Sequence, residues 1–186
     1  MLCDRTKPDI LAVETIVCLN EVRAILHLLK TRPGAKAWIS VICNTEETLN
    51  SGETVEDFVK LIEHEDTDGQ VEAIGSNCTN LDFMTPIIKT IRAHSKRAIV
   101  AYPNNGSVFD NATKNFIAPD HAGNAQAFAD KAKEWREIGS PIIIGGCCTV
   151  GSSNINALAK TLLPEDASDF GFKTQKSSVS DGSDSQ

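Results

Sequence analysis

Cysteine is the residue type in this sequence with the greatest capacity for chemistry. Cys78 lies in the segment G-S-N-C-T, and Cys147 and Cys148 stand side by side in G-G-C-C. The N-terminal segment MLCDRTKPD lacks the long apolar core of a secretory signal, so we expect a cytoplasmic protein. Disulfide frameworks are rare in that compartment, so we expect the six cysteines to include metal ligands or a reactive thiol. Thiolate is a preferred ligand of zinc, and three protein ligands leave the fourth tetrahedral position open.

The spacing of these cysteines by itself supports two interpretations equally. There is no C-x-x-C pair, and buried cysteines commonly serve as small hydrophobic residues. Adjacent residues of a strand point to opposite faces, so Cys147 and Cys148 can reach one ion only if the strand ends before them. Gly145 and Gly146 permit such a turn. Metal ligands and inert thiols therefore both remain open at this point.

The elements that would position these thiols alternate along the chain. Short runs rich in Val and Ile predict strands over 9–13, 37–42, 71–75, 97–102 and 141–145. Stretches of helical period predict helices over 20–30, 54–63, 82–94, 122–138 and 154–163. This order predicts an α/β fold with a parallel sheet, either open and doubly wound or part of a closed (β/α)8 barrel. No G-x-G-x-x-G follows a strand, which argues against a Rossmann fold.

Most of the chemically capable residues fall at or just past the end of a predicted strand. They are Glu14, Cys43, Asn77, Cys78, Tyr102, Asn104, Cys147 and Cys148. In parallel α/β folds the carboxyl ends of the strands converge on one rim, where ligands bind. The connection 103–119 is longer than the roughly 2–6 residues usual for such a loop, which favours a functional loop. For Cys43 we favour buried packing over a place in the pocket.

Charge and hydropathy exclude two classes of partner. The chain has 186 residues with 18 Lys and Arg against 25 Asp and Glu, and it contains no basic run of the kind that binds nucleic acid. No stretch approaches the roughly 20 apolar residues of a membrane span. The Ser- and Asp-rich segment 165–186 has too few apolar residues to fold and is predicted to be a disordered tail.

Five motifs occur in order and together resemble one family. They are V-E-T (13–15), W-I-S (38–40), A-I-G-S-N-C-T (73–79), A-Y-P-N-N-G (101–106) and I-I-G-G-C-C (143–148). The chain closely resembles the homocysteine S-methyltransferase family over roughly residues 8–163. That family includes S-methylmethionine-dependent enzymes, betaine-homocysteine methyltransferase and the homocysteine-binding module of cobalamin-dependent methionine synthase.

The resemblance implies a zinc-dependent enzyme that methylates homocysteine to methionine. Members of the family are (β/α)8 barrels, and the ligands of their catalytic zinc match Cys78, Cys147 and Cys148 of this sequence. The glutamate that helps to hold the amino group of homocysteine matches Glu14. Pocket-lining positions of the family match three further residues, Asn77, Tyr102 and Asn104. The methyl donor expected first is S-methylmethionine, within the wider class of sulfonium and ammonium donors.

The resemblance also departs from the family in extent. A complete barrel has eight βα units, and the motifs here begin at the fourth, without the family's N-terminal D-G motif. Residues 1–164 are therefore expected to form a partial barrel with five of the eight units. Its two unpaired sheet edges would be open to self-association. We expect a C-terminal portion, a short isoform or an incomplete gene model, and the alternative function is a non-catalytic protein that binds zinc or a partner.

Overall fold

The fold is built on parallel strands with helices in the connections. The computed structural model describes residues 8–110, 112–117 and 124–163. In chain order the strands are β1 (Leu11–Ile16), β2 (Ala37–Val41), β3 (Val71–Asn77), β4 (Ala98–Tyr102), β5 (Val108–Asp110), β6 (Asn115–Ile117) and β7 (Ile142–Ile144). The helices are α1 (Leu19–Lys30), α2 (Val55–Glu65), α3 (Met84–His94), α4 (Ala125–Gly139) and α5 (Ser152–Leu162), and a 3-10 helix at Leu81–Phe83 precedes α3.

The main sheet has five strands in the order β1-β2-β3-β4-β7, and every neighbouring pair is parallel. The strands therefore follow one another in chain order without the reversal that marks a doubly wound sheet. This topology confirms the α/β prediction and selects the partial barrel over the doubly wound alternative. Within the described residues, β1 and β7 each pair with a neighbour on one side only.

Helix α2 illustrates how local sequence produces these elements. The Oγ1 atom of Thr54 accepts a hydrogen bond from the backbone N–H of Asp57 at 3.0 Å and so caps the first turn. The apolar residues of α2 recur every three or four positions, and Val55, Phe58 and Ile62 are buried. None of the helices in the described ranges combines the length and the apolar character that crossing a bilayer demands.

One face of the main sheet packs against the helices. Ile39, Ile74 and Ile99 lie side by side on β2, β3 and β4 and have no exposed surface. They join the helix residues Phe58 and Trp135, both fully buried, in one continuous core. The helix-facing side of the sheet thus contributes its apolar side chains to the core.

The opposite side of the sheet, which we call the inner face, carries small and polar residues. By strand register it comprises Ala12, Trp38, Ser40, Ala73, Gly75, Asn77, Ala98, Val100, Tyr102 and Ile143, and alternation along β1 adds Glu14. Gly75 is required here because a Cβ atom at this position would lie 1.8 Å from the carbonyl oxygen of Val100. The inner face ends at the rim where the predicted site residues lie.

Most elements differ from the sequence prediction by a few residues at their ends, and two differences are larger. Strand β1 spans Leu11–Ile16 rather than 9–13, so Glu14 lies within the strand and not beyond it. The strand continues because the carbonyl of Ile16 still accepts a hydrogen bond from Ile42 N, although the register shifts between Val13 and Ile16. The connection 103–119 contains the antiparallel pair β5–β6, which its Asn- and Gly-rich sequence did not indicate. The predicted tail, residues 165–186, lies outside the described residues.

Candidate metal and substrate site

Three cysteine thiols meet at the rim of the inner face. Cys78 directly follows β3, and Cys147 and Cys148 follow β7. Their sulfur atoms all lie within 4.8 Å of one another. The Sγ atoms of Cys78 and Cys148 are 3.8 Å apart, whereas those of Cys78 and Cys147 are in direct contact, paired as a disulfide across 69 residues of sequence. The fold therefore brings together the three thiols that the sequence analysis selected.

The donor set of this cluster fits zinc. Zinc–sulfur distances of about 2.3 Å in a tetrahedral site place neighbouring sulfurs about 3.8 Å apart, the separation seen for Cys78 and Cys148. Metal binding needs all three residues as thiolates, so the pair formed by Cys78 and Cys147 has to be reduced first. Cys148 is exposed while the other two thiols are half-buried, which leaves one side of the cluster open to a ligand.

The adjacent thiols converge because the strand has already ended. Strand β7 stops at Ile144, as the sequence analysis required, and Gly145 and Gly146 follow. A Cβ atom at Gly145 would lie 2.8 Å from the ring of Tyr102, and one at Gly146 would lie 2.2 Å from Val150 Cγ1. Only glycine fits at these two positions without displacing those side chains, so the turn that aims both sulfurs depends on the G-G-C-C sequence.

The segment after β4 holds the first cysteine loop. The carbonyl of Tyr102 accepts a hydrogen bond from the N–H of Cys78 at 3.1 Å. Asn104 donates from Nδ2 to the carbonyl of Cys78 at 3.1 Å, and its own N–H donates to the carbonyl of Thr79 at 2.9 Å. Cys78 adopts a left-handed backbone with φ of 54°, which these contacts stabilise. Asn104, predicted to line the pocket, is thus also a support of the cysteine loop.

The same segment holds the second cysteine loop. The carbonyl of Pro103 accepts from Cys147 N at 2.9 Å. Asn105 donates from Nδ2 to the carbonyl of Thr149 at 2.8 Å and accepts from the Thr149 hydroxyl at 2.6 Å. Residues 102–105 therefore tie together two loops that lie far apart in sequence.

Asn77 connects the cluster to the first two strands. Its Oδ1 accepts from Thr15 N at 2.8 Å and from the hydroxyl of Ser40 at 2.7 Å. Its Nδ2 donates to Thr15 Oγ1 at 2.7 Å and lies 3.9 Å from the sulfur of Cys147. The side chain is buried, and these four contacts match the two acceptor and two donor positions of an amide.

Glu14 and Tyr102 are the predicted substrate-contacting residues that are not buried, whereas Asn77 and Asn104 are. Glu14 is exposed, and one of its carboxylate oxygens accepts from Trp38 Nε1 at 3.1 Å. Partial burial, and to a lesser degree the negative charge of Glu14, raises the pKa of the Tyr102 phenol. The phenol therefore stays protonated and able to donate throughout the neutral range.

Cys43 lies beneath the cysteine loop and not on its surface. Its side chain is buried, and burial raises the pKa of its thiol to about 11. Its N–H donates to Thr79 Oγ1 at 3.0 Å, and that hydroxyl is 2.6 Å from Ser76 Oγ. Cys43 is thus a neutral packing residue, in keeping with the preferred interpretation of the sequence.

Several residues of the site were not identified from the sequence. Thr15 and Ser40 contact Asn77, and Asn105 holds Thr149. Trp38 is half-buried on the inner face, where its Nε1 donates to Glu14. Thr15, Trp38 and Ser40 belong to the V-E-T and W-I-S motifs, so only the co-occurrence of those short segments could have pointed to them.

Comparison with known proteins places this arrangement in a family. The model of the homocysteine S-methyltransferase family matches residues 2–162. Homocysteine S-methyltransferase YbgG of Bacillus subtilis (strain 168) is 34% identical over 151 residues, which cover 81% of this chain and 46% of that protein. The homocysteine S-methyltransferase of Escherichia coli (strain K12) is 32% identical over 150 residues, with coverages of 81% and 46%.

A solved structure agrees with the sequence matches. The metallated form of the homocysteine methyltransferase MmuM from Escherichia coli has a TM-score of 0.67 and 30% identity, over 86% of this chain and 46% of that one. The chain thus spans about half the length of the relatives it matches. Because the family model covers most of the chain, this protein belongs to the homocysteine S-methyltransferase family.

Proposed function

We propose that this chain carries the zinc- and homocysteine-binding part of a methyltransferase that forms methionine. The methyl group would come from a sulfonium or ammonium donor, with S-methylmethionine as the first candidate. The observation that carries the proposal is the cluster of Cys78, Cys147 and Cys148 at the open rim of the inner face. The existence of a metallated form of the Escherichia coli relative supports a bound metal, and the thiol ligands of this chain favour zinc.

The cysteines would act on the substrate through the ion they hold. Zinc bound by three thiolates supplies a Lewis acid with one open position, where a fourth sulfur is favoured as thiolate. Cys148 is exposed, so the cysteine cluster is accessible from the rim. The thiolate of homocysteine is the nucleophile and its thiol is not, so the site would activate the substrate at neutral pH.

Glu14 and Tyr102 are proposed to orient homocysteine. The exposed carboxylate of Glu14 can accept from the substrate ammonium, while Trp38 keeps the carboxylate in place through Nε1. The protonated phenol of Tyr102 can donate to the substrate carboxylate. Asn77 and Asn104 stay predicted pocket residues, although their amides already contact the cysteine loops.

The transfer itself is a displacement at the methyl carbon. The sulfur of homocysteine forms the new bond, and the bond from carbon to the donor breaks with its electron pair left on the donor. The thiol proton is released to water, and the products are methionine and the demethylated donor. Sulfur and methyl carbon must be close and in line, so anchoring both ends of homocysteine contributes directly to the rate.

The length of the chain motivates a second candidate function. We propose residues 1–164 as the domain and 165–186 as a tail. Within the described residues β1 and β7 are edge strands, and the chain spans about half of its relatives. A protein that binds zinc and pairs through these edges, with itself or with a partner, without transferring methyl groups is therefore the alternative.

Activity of the full chain distinguishes the two functions. The reduced, zinc-loaded protein is incubated with homocysteine and S-methylmethionine bearing a deuterated methyl group, and labelled methionine is measured by mass spectrometry. Cys78→Ser should lower zinc content and labelled methionine by at least about a hundredfold, because a catalytic metal loses a direct ligand. Cys18→Ser, which removes a thiol that is free in the structure, is the matched control and should keep both.

Two outcomes would change the proposal. Full zinc content and full activity of Cys78→Ser would disprove the site assignment. One zinc per chain without any labelled methionine would favour the non-catalytic alternative.

A further inference from the structure

Thr149, the residue directly after the adjacent cysteines, has an unusual backbone. Its φ is 68°, in the left-handed region that β-branched residues rarely adopt. Thr149 directly follows Cys148, so the backbone conformation of Thr149 sets the orientation of Cys148 relative to the chain that follows the turn. A left-handed residue other than glycine is disfavoured, and it persists only where surrounding contacts impose it.

The side chain of Asn105 supplies those contacts. Its Nδ2 donates to the Thr149 carbonyl at 2.8 Å, and its Oδ1 accepts from the Thr149 hydroxyl at 2.6 Å. The backbone N–H of Asn105 also approaches Thr149 Oγ1 at 3.4 Å. Asn105, 44 positions earlier in the sequence, therefore contacts both the peptide and the side chain of Thr149, whose hydroxyl also contacts the carbonyl of Cys148.

Asn105 is in turn fixed by its own loop. Its Oδ1 accepts from the N–H of Ser107 at 3.2 Å and from the Ser107 hydroxyl at 2.8 Å. Ser107 is buried, while Asn105 is half-buried. The amide is thus oriented before it meets Thr149, which lets it act as a rigid support.

We infer that Asn105 is a positioning residue for the metal site, which holds Thr149 in its left-handed conformation and thereby keeps Cys148 aimed at the shared ion. The side-chain contacts of Asn105 are with Thr149 and Ser107, so it acts on Cys148 through the backbone of the turn. The inference rests on the zinc site of the proposed function. It adds that Asn105, which is not a metal ligand, orients one of the ligands. Groups that orient metal ligands commonly change metal affinity by about 10- to 100-fold when they are removed.

The substitutions that test this role separate backbone conformation from general stability. Asn105→Ala removes both side-chain contacts with Thr149. Thr149→Ala removes the hydroxyl but keeps the disfavoured φ, whereas Thr149→Gly removes the hydroxyl and also the steric reason for needing support. The double variant Asn105→Ala/Thr149→Gly should therefore recover what Asn105→Ala loses. Asn115→Ala is the matched control, because Asn115 donates to a carbonyl within its own hairpin, that of Thr113, at 3.0 Å.

Metal binding by the reduced full-length chain is the readout. Zinc affinity is measured by competition with a chromophoric chelator, and the sulfur-to-metal absorption band is recorded with cobalt(II) in place of zinc. We expect Asn105→Ala to bind zinc about tenfold more weakly and to lose intensity in the cobalt band. Thr149→Ala should weaken binding, while Thr149→Gly, the double variant and Asn115→Ala should stay close to the unsubstituted chain. Melting of the metal-free proteins is measured in parallel.

Each outcome supports or overturns the inference. Unchanged zinc affinity and cobalt spectrum in Asn105→Ala, or a double variant as weak as Asn105→Ala, would overturn it. If Asn105→Ala fails to fold, the comparison of Thr149→Ala with Thr149→Gly decides, and equal affinities would overturn it. An unsubstituted chain that binds no zinc removes both this inference and the metal part of the proposed function. Zinc binding with the expected pattern but no methyl transfer leaves the inference standing and rejects the proposed activity.

Discussion

The two faces of the five-stranded sheet differ in composition and in what covers them. Ile39, Ile74 and Ile99 on the helix-facing side are fully buried. The inner face instead carries Ser40, Gly75 and Asn77 and ends at the cysteine cluster. One face holds the fold together, and the other holds polar groups in fixed positions. Removal of apolar side chains from the helix-facing side should therefore lower stability, whereas removal of the polar groups of the inner face should impair metal binding.

The largest difference in stability is expected between alanine variants of two isoleucines, one on each face of the sheet. Ile74 is fully buried on the helix-facing side, whereas Ile143 on the inner face is 37% exposed. Ile74→Ala should lower the free energy of unfolding by about 4 kcal/mol, because it removes buried methyl groups and leaves a cavity. Ile143→Ala should lower it by less than about 1 kcal/mol. Urea unfolding of both variants measures the difference, and equal losses would contradict the division between the faces.

A smaller effect is expected where the inner face lacks side chains for steric reasons. Gly75→Ala should destabilise the chain by about 3 kcal/mol, because its new methyl group would meet the backbone of Val100, which cannot rotate away. Gly151→Ala is the control, since no atom lies within 4 Å of the position of its Cβ. Thermal and urea unfolding test the pair. A Gly75→Ala variant as stable as the control would show that β3 and β4 can separate at no cost.

The smallest effect is expected on the pH dependence of stability, and it comes from the buried thiol of Cys43. The pKa of Cys43 is raised from 9.0 to about 11 by burial. Well below pH 9 this thiol is neutral in both the folded and the unfolded chain, so it adds no pH dependence there. Between pH 9 and 11 it ionises in the unfolded chain but not in the folded one, and the free energy of unfolding should fall by about 2 kcal/mol.

Urea unfolding at several pH values in the presence of a reductant tests this expectation. Cys43→Ala is less stable at pH 8 because it leaves a small cavity, but it should lack the part of the alkaline decline that Cys43 causes. Parallel declines in the variant and the unsubstituted chain would contradict a raised pKa for Cys43.

Much of the fold could be predicted because periodicity reports burial. All five parallel strands and five helices were identified, and their ends differ by a few residues. The limits of β1 were wrong, since its last residues are held by pairing with β2 and not by their own composition. The β5–β6 pair was missed because its three-residue strands are too short to show alternation.

Part of the candidate site could likewise be predicted from the sequence, and part could not. Cys78, Cys147 and Cys148 were selected from motifs, and the structure brings their sulfurs together. The contacts of Asn105 with Thr149 were not predictable, because they join residues 44 positions apart and depend on the left-handed turn at Thr149. Hydrogen bonds between distant loops leave no periodic trace in a sequence.

The sequence by itself determined the family, the order of the βα units and the three thiols, because each is encoded by local pattern or by residue identity. Only the tertiary structure decided that Trp38 holds Glu14, that Asn77 links two strands to Cys147 and that residues 102–105 tie both cysteine loops together. These contacts arise when separate strands end at one rim of a sheet. Their geometry is set by strand register, which composition does not specify.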